Sequence, residues 1–257
     1  MKIILNWLAF IGVITMNALA NILPINGLNT GQVSGFYPNA FVPAGFTFSI
    51  WGIIYLMLLN YTIAYTYYKL KPIQFEQVNK YLDRINNFYL GTCILNMAWI
   101  IAWHYLQIEI SVLIMLLFLS TLILLFLKSK TMMSQLTITQ RLLLHTPFMV
   151  YFGWISVATI ANITALLVAY QWNGFGLNEM YWSVIMIFIA FVLGIVMLKN
   201  HQNEGFAIVL VWAFFGIQMK QGRMYPVIQS MTTIAIGYLL LMTFISFVKR
   251  YKQHKIA

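Results

Sequence analysis

The chain reads as a succession of long apolar runs, interrupted by short breaks rich in Gly, Pro, Asn or charge. Eight runs are candidates for membrane spans: about residues 3–23, 46–67, 87–105, 110–127, 142–170, 180–198, 205–219 and 226–248. A helix crossing the hydrocarbon core takes roughly 20 residues. The fifth run exceeds that length, so residues 142–148 are expected at the interface or in a tilted helix. The seventh is short and is the weakest of the set. The first run has a competing outline. Lys2, an apolar stretch and Asn17-Ala18-Leu19-Ala20 ahead of Asn21 resemble a secretory signal with a small-residue cleavage site. The stretch is long for a signal core and no soluble domain follows, so a retained span is expected.

Composition sets the class. Of 257 residues, 61% are hydrophobic and 8% charged, with a mean hydropathy of +0.81. Soluble domains run about 45–50% apolar and about 25% charged. A water-soluble globular fold is excluded, and the expectation is an all-α integral membrane protein with eight transmembrane helices. A net charge of +10 would point to nucleic acid in a soluble protein. Here it reads as basic loops beside an anionic membrane surface, with the lipid bilayer as partner and no nucleic acid. With eight alternating spans and the N-terminus inside, all Lys and Arg except Lys220 and Arg223 fall on the inner side. Both termini are therefore expected in the cytoplasm and the protein in the cell membrane. If residues 205–219 failed to cross, the basic tail would lie outside.

The connection 24–45 differs from the others. It carries no charge, yet holds Asn, Gly and Pro together with Tyr37 and Phe41. Such a loop either lies exposed or folds back over a cavity between helices, because irregular backbone at membrane depth needs protein or water against it.

Little acid–base chemistry is available. Cys93 stands alone, which excludes an intrachain disulfide and a cysteine-cluster metal site. The five acids, Glu76, Asp83, Glu109, Glu179 and Glu204, all fall in loops or at span ends on this map. No carboxylate pair lies at membrane depth for a glycosidase-like or aspartyl-protease-like dyad, nor the intramembrane ionisable groups that coupled transport uses. His104, His145, His201 and His254 form no i, i+4 pair and have no ligand-type neighbour at metal spacing. No phosphate-cradling Gly loop and no Gly-x-Ser-x-Gly elbow is present. No catalytic residue is expected.

The apolar runs instead carry aromatic–polar stripes. Trp51, Tyr55 and Thr62 fall within about 40° of one another at 100° per residue. Asn96, Trp99 and Trp103 share a face, with His104 at its edge, and Tyr151, Trp154, Ala158 and Asn162 line another beside Thr159. A large π surface with a polar handle suits a flat, mostly apolar ligand oriented by one or two hydrogen bonds. The same residues also serve as interfacial anchors and interhelical bridges with no ligand.

Three segments resemble the TspO/MBR family, the translocator or tryptophan-rich sensory proteins. Pro43-Ala44-Gly45-Phe46-Thr47-Phe48-Ser49-Ile50-Trp51-Gly52-Ile53-Ile54-Tyr55 is similar to the family's proline–aromatic loop running into Trp-x-x-x-Tyr. Leu95-Asn96-Met97-Ala98-Trp99 is similar to its Leu-Asn-x-x-Trp, with Trp103-His104 in place of a Phe-Phe pair. Tyr151 to Asn162 matches Tyr-x-x-Trp-x-x-x-Ala-Thr-x-x-Asn position by position. Val42-Pro43 stands where the family has a double proline. Val150 stands where it has a proline, with Pro147 three residues earlier. The resemblance covers about residues 1–172 and implies a TspO-like five-helix bundle with a cavity beneath the first loop. Residues 173–257 would form a three-helix membrane extension with a short basic tail.

The resemblance further implies binding of a tetrapyrrole (porphyrin or haem) or, in some members, a sterol, with no obligatory cofactor. The ligand-facing candidates it carries over are Trp51, Tyr55, Asn96, Trp99, Tyr151, Trp154, Ala158 and Asn162, with Trp103 beside them. Members are linked to tetrapyrrole sensing, transport, or light- and oxygen-dependent breakdown. The leading expectation is a sensory or receptor protein holding a planar hydrophobic small molecule. The alternative is a transporter or permease for a hydrophobic or lipid-like molecule, using the last three spans with their Trp182, Trp212, Gln218 and Lys220. Helix faces containing Gly and Ala leave a homodimer open.

Overall fold

The computed structural model describes residues 1–23 and 25–256. Pro24 of the first loop, and the side chains of Arg250, Lys252, His254 and Lys255 in the basic tail, lie outside the described residues. All regular structure among the described residues is helical. In chain order the helices are α1 (Lys2–Asn21), α2 (Thr30–Gly35), α3 (Ile50–Lys69), α4 (Glu76–His104), α5 (Ile108–Lys130), α6 (Ile138–Leu144), α7 (Thr146–Ala169), α8 (Glu179–His201), α9 (Glu204–Gln221) and α10 (Pro226–Ile256). Seven stretches are long and apolar enough to cross a membrane: α1, α3 with the turn before it, α4, α5, α7, α8 and α10. The eighth expected span, α9, has 18 residues and is diluted at its ends by Glu204, Gln218, Lys220 and Gln221.

Two boundaries differ from the sequence reading. The third long helix begins at Glu76 rather than near residue 87. Its first turns bury Val78, Tyr81, Leu82 and Ile85 on one side while Glu76, Lys80, Asp83 and Arg84 face out. That amphipathic period continues the helix past the apolar stretch. Asp83 therefore sits within a helix, not in a loop, and holds Lys2 of α1 at 3.0 Å and Lys69 of α3 at 2.9 Å. The fifth run divides at His145 into α6 and α7. Pro147, in the first turn of α7, has no amide hydrogen and its ring would clash with the carbonyl four residues earlier, so the two pieces cannot fuse. A reciprocal Thr137–Gln140 cap starts the short α6.

The first helix is bonded into the bundle along its length. Asn6 Nδ2 donates to Asn86 Oδ1 at 2.8 Å, Trp7 Nε1 to Thr66 Oγ1 at 3.0 Å, and Asn17 Nδ2 to Tyr55 Oη at 3.1 Å. Toward the basic end the core is built from Tyr61, Tyr89 and Phe148, with ring centroids 4.7–4.8 Å apart around Tyr61. α9 packs tightly on α7, where a Cβ on Gly153 would lie 3.0 Å from the Phe206 carbonyl oxygen. The last three helices thus form one packed body with the rest. Gly194 of α8 leaves room there for Leu210 of α9 and Leu239 of α10.

The uncharged first loop folds back over one end of the bundle. Asn29 and Gln32 cap α2 reciprocally, and Ala40, Phe41 and Val42 are buried. Two clamps hold this segment. His104, at the end of α4, receives the Thr30 hydroxyl at Nε2 (3.1 Å) and points Nδ1 at the Ile25 carbonyl (3.3 Å). Because that carbonyl can only accept, the ring proton sits on Nδ1. From the other side α9 contributes Gln221, which donates to the carbonyls of Asn39 (3.1 Å) and Val42 (3.0 Å). Its Trp212 Nε1 donates to the Thr47 carbonyl at 2.9 Å, and its Gly216 carbonyl accepts from the Ala44 amide at 2.9 Å.

Candidate functional site

α3, α4 and α7 turn their aromatic stripes toward one another, and nearly all the candidate residues meet in one cluster. Trp51 is its hub. It stacks on Tyr55 (centroids 5.6 Å) and Trp99 (5.9 Å), and meets Tyr151 (5.9 Å) and Trp154 (6.1 Å) edge-on. Trp103 extends the stack from Trp99 at 5.8 Å and touches Tyr37 of the loop at 6.0 Å. Ala158 is half-buried at the margin, and the other eight candidates are buried.

The polar handles bond to one another. Tyr55 Oη donates to Asn96 Oδ1 (3.4 Å), and Asn96 Nδ2 donates to Tyr151 Oη (2.9 Å). With Asn17 this makes a relay across α1, α3, α4 and α7. A second node is Asn162, whose Oδ1 accepts from Trp99 Nε1 at 3.0 Å and whose Nδ2 donates to Ser111 Oγ at 2.9 Å. An amide both donates and accepts, so an uncharged side chain satisfies neighbours that a carboxylate could only accept from. One donor is left over. Trp154 Nε1 is buried and has no hydrogen-bond partner among the described residues.

The rings pack on one another at 5.6–6.1 Å around Trp51, and an open space lies to one side of them. A groove of about 600 Å³ runs between α1, the capped α2 and the start of α3. Its polar wall is Asn17, Asn21, Asn29, Gln32 and Ser49, its aromatic wall Phe48 and Trp51, and Gly31, Gly45 and Gly52 keep it wide. The lining carries no formal charge. Of the nine candidates only Trp51 lines it; Trp154 lies behind, with Phe48 edge-on at 6.0 Å.

The sequence pattern did not single out Asn17 as part of this wall, nor Gly216 and Gln221 as holders of the loop. Asn6 and Asn17 stand eleven residues apart, three turns of helix, so their common face was available as a signal in the first run. Gln221 had no such signal, because its partners lie about 180 positions away. Outside the spans, burial and then the Glu109 charge push the hydroxyl of Tyr37, in the first loop, above its ordinary pKa, so it stays neutral. Near the N-terminal ends of α8 and α10, the Tyr225 hydroxyl donates to Glu179 at 2.6 Å, which raises its pKa as well.

Among the described residues no group of His, Cys, Asp and Glu is placed to hold a metal ion. The fold and this cluster define a multi-span helical membrane protein with an aromatic–amide core under a folded-back loop. The chain belongs to the TSPO-like protein family, whose model matches residues 3–245. The match therefore runs through the last three helices as well as the first five spans. No curated protein and no solved structure matches the chain.

Proposed function

We propose that the protein is a membrane receptor that holds a flat, mostly apolar ligand, a tetrapyrrole or sterol-like molecule, at the groove beside Trp51. One observation carries this reading: a neutral groove of ligand size, within the range of about 300–1,000 Å³ usual for small-molecule sites, has the hub of the aromatic cluster as its inner wall. The unpartnered Trp154 indole N–H behind that wall supports it, since buried donors rarely stay unmatched. A stacking ring adds about 1 kcal/mol beyond area burial and a buried hydrogen bond about 1 kcal/mol. Apolar burial must supply most of the affinity.

The test is a porphyrin titration read by quenching of tryptophan fluorescence in detergent. Trp154→Ala is expected to weaken affinity at least tenfold, about 1.4 kcal/mol. Gly52→Leu should obstruct the groove without unfolding the protein, because a Cβ there meets nothing within 4 Å. Equal saturable quenching by both variants and the wild type would overturn the assignment.

A second reading, a permease, is favoured by the course of the buried polar groups. From Asn17, Tyr55, Asn96 and Tyr151 they continue to the Thr62–Tyr89 pair at 3.0 Å and the Asn6–Asn86 pair. The Tyr61 hydroxyl is buried nearby with no hydrogen-bond partner among the described residues. Accumulation of the porphyrin inside sealed vesicles, beyond what binding sites hold, would select this reading.

The proposed topology is eight crossings in the cell membrane with both termini cytoplasmic. α9 is about 27 Å long at 1.5 Å per residue. Its start bonds Ser246 through Glu204 (2.7 Å), and its end reaches the first loop through Gln221, so it runs from one end of the bundle to the other.

A further inference from the structure

A second groove, far from Trp51, opens at the basic end of the bundle between α4 and α5. It measures about 610 Å³ and is lined by Lys80, Arg84, Phe88, Lys128 and Met132. Lys80, Arg84 and Phe88 follow one another at four-residue spacing and so form a single stripe on α4. The two helices approach closely one turn deeper, where a Cβ on Gly91 would lie 3.5 Å from the Thr121 methyl. Below that contact the groove stands open.

Charge in this groove is only partly matched. Lys80 pairs with Glu76 at 2.6 Å on its own helix. Arg84 and Lys128 have no carboxylate partner among the described residues. The depth is also informative. α4 has 29 residues, about 43 Å of helix at 1.5 Å per residue, against a hydrocarbon core of about 30 Å. With His104 near one boundary, Phe88 falls about 24 Å away and inside the hydrocarbon, Arg84 at about 30 Å stands at its edge, and Lys80 one turn beyond it. Cations at headgroup level above an apolar side chain at acyl level match the two halves of an anionic phospholipid. Basic recesses between spans characteristically take such headgroups.

We propose that this groove binds one anionic phospholipid, its phosphate between Arg84, Lys80 and Lys128 and its acyl chain along Phe88. The inference rests on the chain's place in a bilayer and is independent of the ligand at Trp51. A free phosphate anion shares the headgroup chemistry, but nothing in it would use Phe88 or the groove's depth.

The experiment uses the full chain in phosphatidylcholine nanodiscs doped with phosphatidylglycerol, with retained lipid read by native mass spectrometry after release into detergent. The wild type should keep phosphatidylglycerol over phosphatidylcholine. Lys80→Gln/Arg84→Gln/Lys128→Gln should lower that preference by at least about fivefold. Phe88→Ala should lower it too, and Lys199→Gln, at the same end of the bundle but outside the groove, should leave it unchanged. Lys128→Gln alone, at the exposed end of α5, repeats the test should the triple variant not fold. Undiminished preference in the triple and single variants, equal loss in Lys199→Gln, or displacement of the lipid by inorganic phosphate in the bath would each overturn the proposal.

Discussion

Asn96 and Asn162 show why the core of this protein is built on amides. Each is buried, and each bonds an aromatic hydroxyl or indole to a neighbour on another helix. Removing one such group leaves its partners desolvated and unmatched, which costs about 1–3 kcal/mol. Asn162→Leu should therefore lower the thermal midpoint in detergent, and pairing it with Trp99→Phe should recover part of the loss, because the orphaned indole donor disappears with it. Strictly additive losses in that double-mutant cycle would mean that the 3.0 Å contact carries no coupling. These residues were legible from the sequence, since helical periodicity places them on common faces. The unmatched Trp154 donor was not, because a missing partner is a property of the surroundings.

At the scale of elements, α9 has a role that its modest apolarity conceals. It is wedged against α7 and reaches over to hold the first loop through Trp212, Gly216 and Gln221. Gly216 is needed at the crossing, because a Cβ there would collide with the Thr47 hydroxyl. Gly216→Val should push the loop off the helix and Gln221→Ala should loosen it more mildly. Hydrogen exchange would then quicken at the Ala44 amide, which Gly216 protects, and across residues 39–47, while α4 and α5 stay unchanged. Unaltered exchange in the valine variant would show that α9 does not restrain the loop. The early start of α4 and the break at His145 belong to the same scale. In one case an amphipathic period outruns the apolar stretch; in the other Pro147 divides it.

For the whole molecule, contacts between distant helices define two ends of the bundle. The Lys130–His201 contact at 2.9 Å and the Glu204–Ser246 bond mark the basic end, whereas the Glu179–Tyr225 and Gln221–loop bonds mark the other. Single cysteines introduced in a Cys93→Ala background test the eighth crossing. Phe175→Cys and Met224→Cys, both well exposed, should react with a membrane-impermeant maleimide from outside intact cells. Lys199→Cys should react only after the membrane is opened. Protection of residue 224 in intact cells would leave seven crossings. The solvent, the helical class, the family resemblance and the residues of the aromatic cluster were all legible along the chain. The first two follow from composition, the cluster residues from a period of 3.6 residues and the resemblance from three short motifs, all of them local quantities. Packing in three dimensions sets the rings against one another, opens a groove beside Trp51 and lets a helix near the end of the chain close a loop near its beginning. Those outcomes depend on how side-chain volumes from distant segments share one space, and no local pattern along the chain encodes that sum.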